Sequence, residues 1–265
     1  MLPRISLALL IFGLVCPLTE AADAIDIGSR LELFADSHLI DRLASGARRQ
    51  LHRPTPHEIA VVTDQPWEGN GVNYVTVFQD GDLCRMYYRG ADVQYDTNGY
   101  RETHREVYCY AESEDGVHWT KPELGLFEFN GSKQNNIVWD GSVGTHNFTP
   151  FKDANPAAAD DARYKAIGVG AGEAGRGMFA FKSADAIHWS LLSDKPVITK
   201  GAFDSQNLAF WDANRSEYRE YHRDFRGGRD IRTCTSKDFV NWSDPVFLEY
   251  TPGRTSELYT NGVIP

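Results

Sequence analysis

Ser113-Glu-Asp115-Gly-Val-His118-Trp119-Thr120, Ser183-Ala-Asp185-Ala-Ile-His188-Trp189-Ser190 and Ser236-Lys-Asp238-Phe-Val-Asn241-Trp242-Ser243 share the pattern S-x-D-x-x-[HN]-W-[ST]. Their tryptophans are 70 and 53 residues apart, about the length of a four-stranded propeller blade. Ser and Asp side chains accept hydrogen bonds from backbone N–H groups just ahead of them, which closes a tight turn between two strands. The Trp that follows offers a large apolar surface to a neighbouring blade, so it reads as a packing residue rather than a sugar platform.

Working outward, the flanking segments alternate as strands do. In Glu106-Val-Tyr-Cys-Tyr-Ala-Glu112, residues Val107, Cys109 and Ala111 share one face and Tyr108 and Tyr110 the other. Cys84–Tyr88, Met178–Phe181 and Arg229–Thr235 are similar runs, and no long stretch keeps a helical period. A short helix is expected near Asp36 to Leu43. A second repeat puts Asn ahead of an apolar strand at Asn73, Asn147, Asn207 and Asn261. It marks where the inner strand of each blade starts, and strands near a propeller axis are expected to be buried on both faces. The prediction is an all-β chain of antiparallel four-stranded blades: about three blades, starting near Val72, Asn147 and Asn207, plus the first strand of a fourth. That strand would stop unpartnered at Pro265, so the chain is expected to be incomplete at its C-terminus. Arg30-Leu-Glu-Leu-Phe34 is then the strand that would close the last blade.

The amino terminus reads as an address. Arg4 is followed by the apolar run Ile5–Cys16 and by small residues at Ala21, Ala22 and Ala24, so residues 1–24 are expected to be a cleaved signal peptide and residues 25–265 the propeller domain. The run is shorter than the roughly 20 residues a membrane span needs. A secreted or periplasmic protein is expected, with no membrane span. The 265 residues are 42% apolar and 12% aromatic, ample for a core. A net charge of −10 argues against nucleic acid or an anionic membrane as the main partner. Beyond Cys16 there remain Cys84, Cys109 and Cys234, which read as buried small apolar residues, with at most one disulfide. The Gly168–Gly177 stretch lacks the Lys-Ser/Thr ending of a phosphate loop and reads as a flexible inter-strand loop.

Together the three hairpins and the strands Asn73–Phe78 and Gly81–Tyr88 resemble the five-bladed β-propeller glycosidase superfamily of glycoside hydrolase families 32, 43 and 68. The nearest likeness is to uncharacterised exported bacterial proteins of family 32-like type, over roughly residues 30 to 265. The resemblance implies a funnel on the propeller axis, an oligo- or polysaccharide substrate, no organic cofactor, and carboxylates at the starts of the inner strands. One carboxylate must be ionised while another delivers a proton. The matching positions are Asn73, Asn147 and Asn207, and an amide is neither a nucleophile nor a general acid at neutral pH. Either the alignment slips, or the carboxylates have moved, or the protein binds sugar without cleaving it.

On this reading Asp204, Glu257 and Asp224 are the expected acid/base residues, with Asp204 and Glu257 foremost. Asn73, His146, Asn147, Gln206, Asn207, His222 and Glu68 are expected to bind substrate, and Asp140 is a further nearby acid. The asparagines have a second reading, as structural residues at each inner strand, because Asn tolerates unusual backbone angles. The leading function is glycoside hydrolysis; the alternatives are a non-catalytic carbohydrate-binding propeller and a protein-interaction propeller.

Overall fold

The computed structural model describes residues 24–28, 32–34, 36–141, 143–173, 175–250, 253–254 and 256–264. The expected signal peptide up to residue 23 lies outside them. The chain divides into two compact units, residues 1–57 and 58–265. In the first unit the described residues form turns and irregular chain. The helix expected at Asp36–Leu43 is absent there: Asp36 instead accepts the His38 N–H in a local turn. Glu32–Phe34, the described part of the expected closing strand, carries no strand pairing.

The second unit is built from strands. The first sheet begins with β1 (Thr76–Asp80) and β2 (Leu83–Gly90). A separate hairpin of β3 (Val93–Asp96) and β4 (Gly99–Glu102) interrupts it, and β5 (Val107–Ser113) and β6 (Ile137–Trp139) complete it in the order β1-β2-β5-β6. The second sheet holds β7 (Thr149–Lys152), β8 (Tyr164–Gly172), β9 (Gly175–Ser183) and β10 (Ser190–Leu191). The third holds β11 (Leu208–Asp212), β12 (Glu217–Phe225), β13 (Arg229–Ser236) and β14 (Val246–Phe247). Each is a four-stranded antiparallel meander, and the inner strand β7 lies against both β1 and β11. The protein is therefore all-β, with three blade-type sheets that do not close a ring.

Hydrophobic burial between blades holds this arrangement. Tyr108 and Tyr110 of β5 enter the core shared with the second blade, while Val107, Cys109 and Ala111 enter the core on the far side of the first. The alternation of that strand is thus read correctly from sequence, but both of its faces are buried. A further core joins the second and third blades around Ile167, Met178, Tyr218 and Phe239. Cys84, Cys109 and Cys234 are free thiols, the last two fully buried.

Three further expectations need correcting. Glycines 168–177 do not form a loop: β8 and β9 pair in register across almost the whole stretch. A Cβ at Gly170 would come within 2.4 Å of Val143, so glycine there permits a close approach rather than flexibility. β1 is not buried on both faces, since Val75 and Val77 are about half exposed. It also starts later than Asn73, because Tyr74 takes a positive φ of 54° and turns the chain first. Finally, residues 256–264 form no sheet strand, and Asn261 instead donates to the carbonyls of Gln206 and Tyr221.

Candidate functional site

Antiparallel meanders place particular strand ends together. The starts of inner strands, the ends of second strands and the starts of third strands share one end of each blade. At that end lie Tyr74 and Arg89 of the first blade, His146 and Arg176 of the second, and Arg223 and Arg229 of the third. The S-x-D turns sit at the other end, after the third strands. A cleft of about 370 Å³ opens at the first end, lined by Glu106, Thr145, His146, Val169, Gly170, Ala171, Arg176 and Asp204.

Two carboxylates face this cleft, each with its own arginine. Glu106, just ahead of β5, takes an ion pair from Arg89 Nη1 at 3.1 Å. Arg89 is buried, its other guanidinium nitrogens donate to the Gly71 carbonyl, and the Tyr74 ring lies over it at 5.2 Å. Asp204 pairs with Arg223, whose side chain is buried while that of Asp204 is 58% exposed. The Arg223 guanidinium stacks on Tyr259 at 4.8 Å, and its Nε is buried without a hydrogen-bond partner.

His146 sits between the two halves. Its Nδ1 is 3.0 Å from Glu106 Oε1 and 3.0 Å from Arg89 Nη1. When protonated, Nδ1 donates to Glu106; when bare, it accepts from Arg89. No partner among the described residues occupies Nε2, and the ring is about a third exposed to the cleft. With Nδ1–H given to Glu106, the free Nε2 can take a proton and return it.

Two of the asparagines are tied into the fold. Asn147 is fully buried; its Nδ2 donates to the carbonyls of Phe203 and Ser205, and its Oδ1 accepts the Val169 N–H. It therefore clamps both flanks of Asp204. Asn207, also buried, donates to the same Phe203 carbonyl. Tyr74 Oη donates to the Asp204 carbonyl at 2.9 Å, and burial pushes that phenol's pKa up, which keeps it a donor. Gln206 reaches the Val75 carbonyl and Thr76 Oγ1, both at 3.3 Å, and so ties the same loop to β1. Asn73 is exposed, and its carbonyl accepts the Arg89 N–H.

Among the residues expected from sequence, His146 and Asp204 are brought together in the cleft and the others are placed elsewhere. Glu257 is held by Arg229 at 2.7 Å, which lowers its pKa, and it does not line the cleft. Asp224 pairs with Arg232 at 2.8 Å. Glu68 is fully buried, accepting from Tyr88 Oη at 2.6 Å and pairing with Lys121. Asp140 makes a two-point contact with Arg105. His222 is buried against Phe203, with Nδ1 2.7 Å from Glu220. Burial pushes the Glu220 carboxyl pKa up, partly offset by that imidazole. Glu106 and Arg176 were not anticipated. The available signal was their shared position, at the start of the third strand of successive blades.

No cluster of three or more His, Cys, Asp or Glu among the described residues can hold a metal ion. No helix there is long and apolar enough to cross a membrane. No protein-family profile matches the chain, and neither does any curated protein. Solved structures do resemble it. A β-1,2-mannobiose phosphorylase from Listeria innocua is 16% identical over 69% of this chain and 62% of its own, with a TM-score of 0.46. A family 117 glycoside hydrolase from Zobellia galactanivorans is 13% identical over 72% of this chain and 51% of its own, at 0.47. A fructofuranosidase from Schwanniomyces occidentalis, complexed with fructosylnystose, is 15% identical over 72% and 38%, at 0.46. The chain thus spans between about a third and two thirds of the length of these proteins. At such values the fold rests on the chain's own sheets and the function on its own side chains.

Proposed function

We propose that this chain is a carbohydrate-active protein that cleaves glycosidic bonds in the cleft at the inner-strand starts. One observation carries the reading: Asp204, Glu106 and His146, from three separate chain segments, line a single cleft. Its size suits a sugar unit or two. Asp204 is the exposed carboxylate, paired with Arg223, and serves as nucleophile or base. His146, oriented through Nδ1 by Glu106, transfers the proton at Nε2. The carboxylates absent from the asparagine positions are replaced by acids carried on neighbouring loops. Export to the periplasm or medium accords with the leader-like amino terminus, and an oligo- or polysaccharide is the substrate class.

The test is reducing-sugar release by the full chain across plant, algal and microbial polysaccharides. Asp204→Asn and His146→Gln should each lower release by about 10²-fold or more, the usual worth of a positioned acid or base. Glu257→Gln should stay within a few-fold of wild type. Saccharide binding without release would overturn the catalytic half of the reading and leave a binding propeller. Neither binding nor release, from a folded protein, would overturn it whole.

A further inference from the structure

Every charge at the cleft but one is matched. Arg89 neutralises Glu106, and Arg223 neutralises Asp204. Just beyond the cleft lining, Arg229 neutralises Glu257. Arg176 lines the cleft and is exposed, and its side chain has no hydrogen bond or ion pair among the described residues. Its cross-strand partner on β8 is Ala171, which gives the guanidinium neither a counter-ion nor cover. The neighbouring floor is Val169 and Gly170, so nothing bulky fills the space beside it. A chain with a net charge of −10 thus presents an uncompensated cation at a cleft that also holds acid/base groups. A planar guanidinium forks onto two oxygens of a carboxylate or sulfate, whereas a neutral hydroxyl uses only part of that donor set.

We infer that the cleft is specific for an anionic saccharide, one bearing a carboxylate or sulfate ester that Arg176 receives. The inference rests on the carbohydrate reading above and names its substrate class. The acidic chain repels anions at long range, so selectivity comes from the local pair and not from steering.

The experiment is titration of the full chain by calorimetry with matched probes. One pair is trigalacturonic acid and its methyl ester; the other is a sulfated carrageenan oligosaccharide and its desulfated form. In each supporting result the charged member binds about tenfold or more tighter than its neutral partner, as a charge-assisted pair requires. Which pair shows the difference identifies carboxylate or sulfate. Arg176→Ala should bring the charged probe down to the neutral one, and Arg176→Lys should keep part of the preference. Raising ionic strength from about 0.01 M to 1 M should shrink the difference, because the Debye length falls from about 30 Å to 3 Å. Because the side chain is exposed and unpaired, the variant's thermal unfolding should match wild type. Equal binding of charged and neutral members overturns the inference and leaves the carbohydrate reading standing. So does a preference that survives Arg176→Ala. Failure to bind any saccharide overturns both.

Discussion

The two ends of the blades are built on opposite principles. At the hairpin end, each S-x-D turn satisfies itself. In the second blade Ser183 Oγ accepts the N–H groups of Asp185 and Ala186, Asp185 accepts those of Ile187 and His188, and Trp189 Nε1 donates to the Ala186 carbonyl. The first and third blades repeat this bond for bond. At the cleft end the asparagines recur but their bonds do not. Glu106 and Arg176 hold equivalent positions with opposite charge, and buried polar atoms remain without partners at Ser205 Oγ, Asn207 Oδ1 and Arg223 Nε. Local closure gives a turn that can be copied, while long-range closure gives a site that differs blade by blade.

The sharpest way to break this comparison is at Asn147. Asn147→Ala would strand the buried Ser205 carbonyl and Val169 N–H, at about 1–3 kcal/mol each, and would leave the Phe203 carbonyl to Asn207, so a loss of about 2 kcal/mol or more is expected. Asn147→Asp keeps the acceptor for Val169 but turns carboxylate lone pairs toward the carbonyls of Phe203 and Ser205. It should be about as destabilising and should not raise hydrolysis above the wild-type rate. Urea unfolding measures the first point and sugar release the second. A stable, more active Asn147→Asp protein would show that the amide is a displaced catalytic position rather than a clamp on the Asp204 loop.

That contrast explains what the sequence could reveal. The three turns were legible because every bond in them lies within eight residues, so the pattern S-x-D-x-x-[HN]-W-[ST] carries its own physics. Blade strands followed from the alternation around them. The candidate site was only half legible. Asp204 and His146 stand next to conspicuous asparagines, but Glu106 meets Arg89 and His146, 17 and 40 residues away. Glu257 shows the other limit: proximity to an inner strand in sequence says nothing about which arginine will hold the side chain, and Arg229 holds it outside the cleft lining. The glycines of β8 and β9 misled for a related reason: the neighbours that require them, such as Val143, come from other segments.

A smaller effect is expected from acid. The three turn aspartates are held below the ordinary carboxylate value by the bonds they accept, and Asp238 is lowered to about 2, burial opposing and the Asn241 and Val240 donors prevailing. A carboxyl with a depressed folded-state pKa stabilises above its unfolded value, near 4, and loses that contribution as pH falls through the folded value. Unfolding midpoints should therefore drop between about pH 4 and pH 2. Asp238→Asn, which keeps an oxygen acceptor but no charge, should flatten its share of that drop. A variant that follows the wild-type slope would mean that the turn draws nothing from the charge.

The finest test compares the turns with one another. Their fourth residues, Gly116, Ala186 and Phe239, all take positive φ, at 75°, 69° and 68°. Only glycine does so without cost. A Cβ at Gly116 would meet only Cys84 Sγ at 3.8 Å, an ordinary contact, so Gly116→Ala probes the backbone term alone. It should destabilise by about 1 kcal/mol. The reverse change, Ala186→Gly, removes the same strain but also a fully buried methyl worth about 0.8 kcal/mol, so it should be close to neutral. Denaturant unfolding of both variants separates the terms. If Gly116→Ala were neutral, the repeated turn would owe its shape to its side-chain bonds entirely, and its fourth position would be free to vary. If both substitutions cost stability, burial of the Ala186 methyl would outweigh the backbone strain in deciding which residue that turn carries.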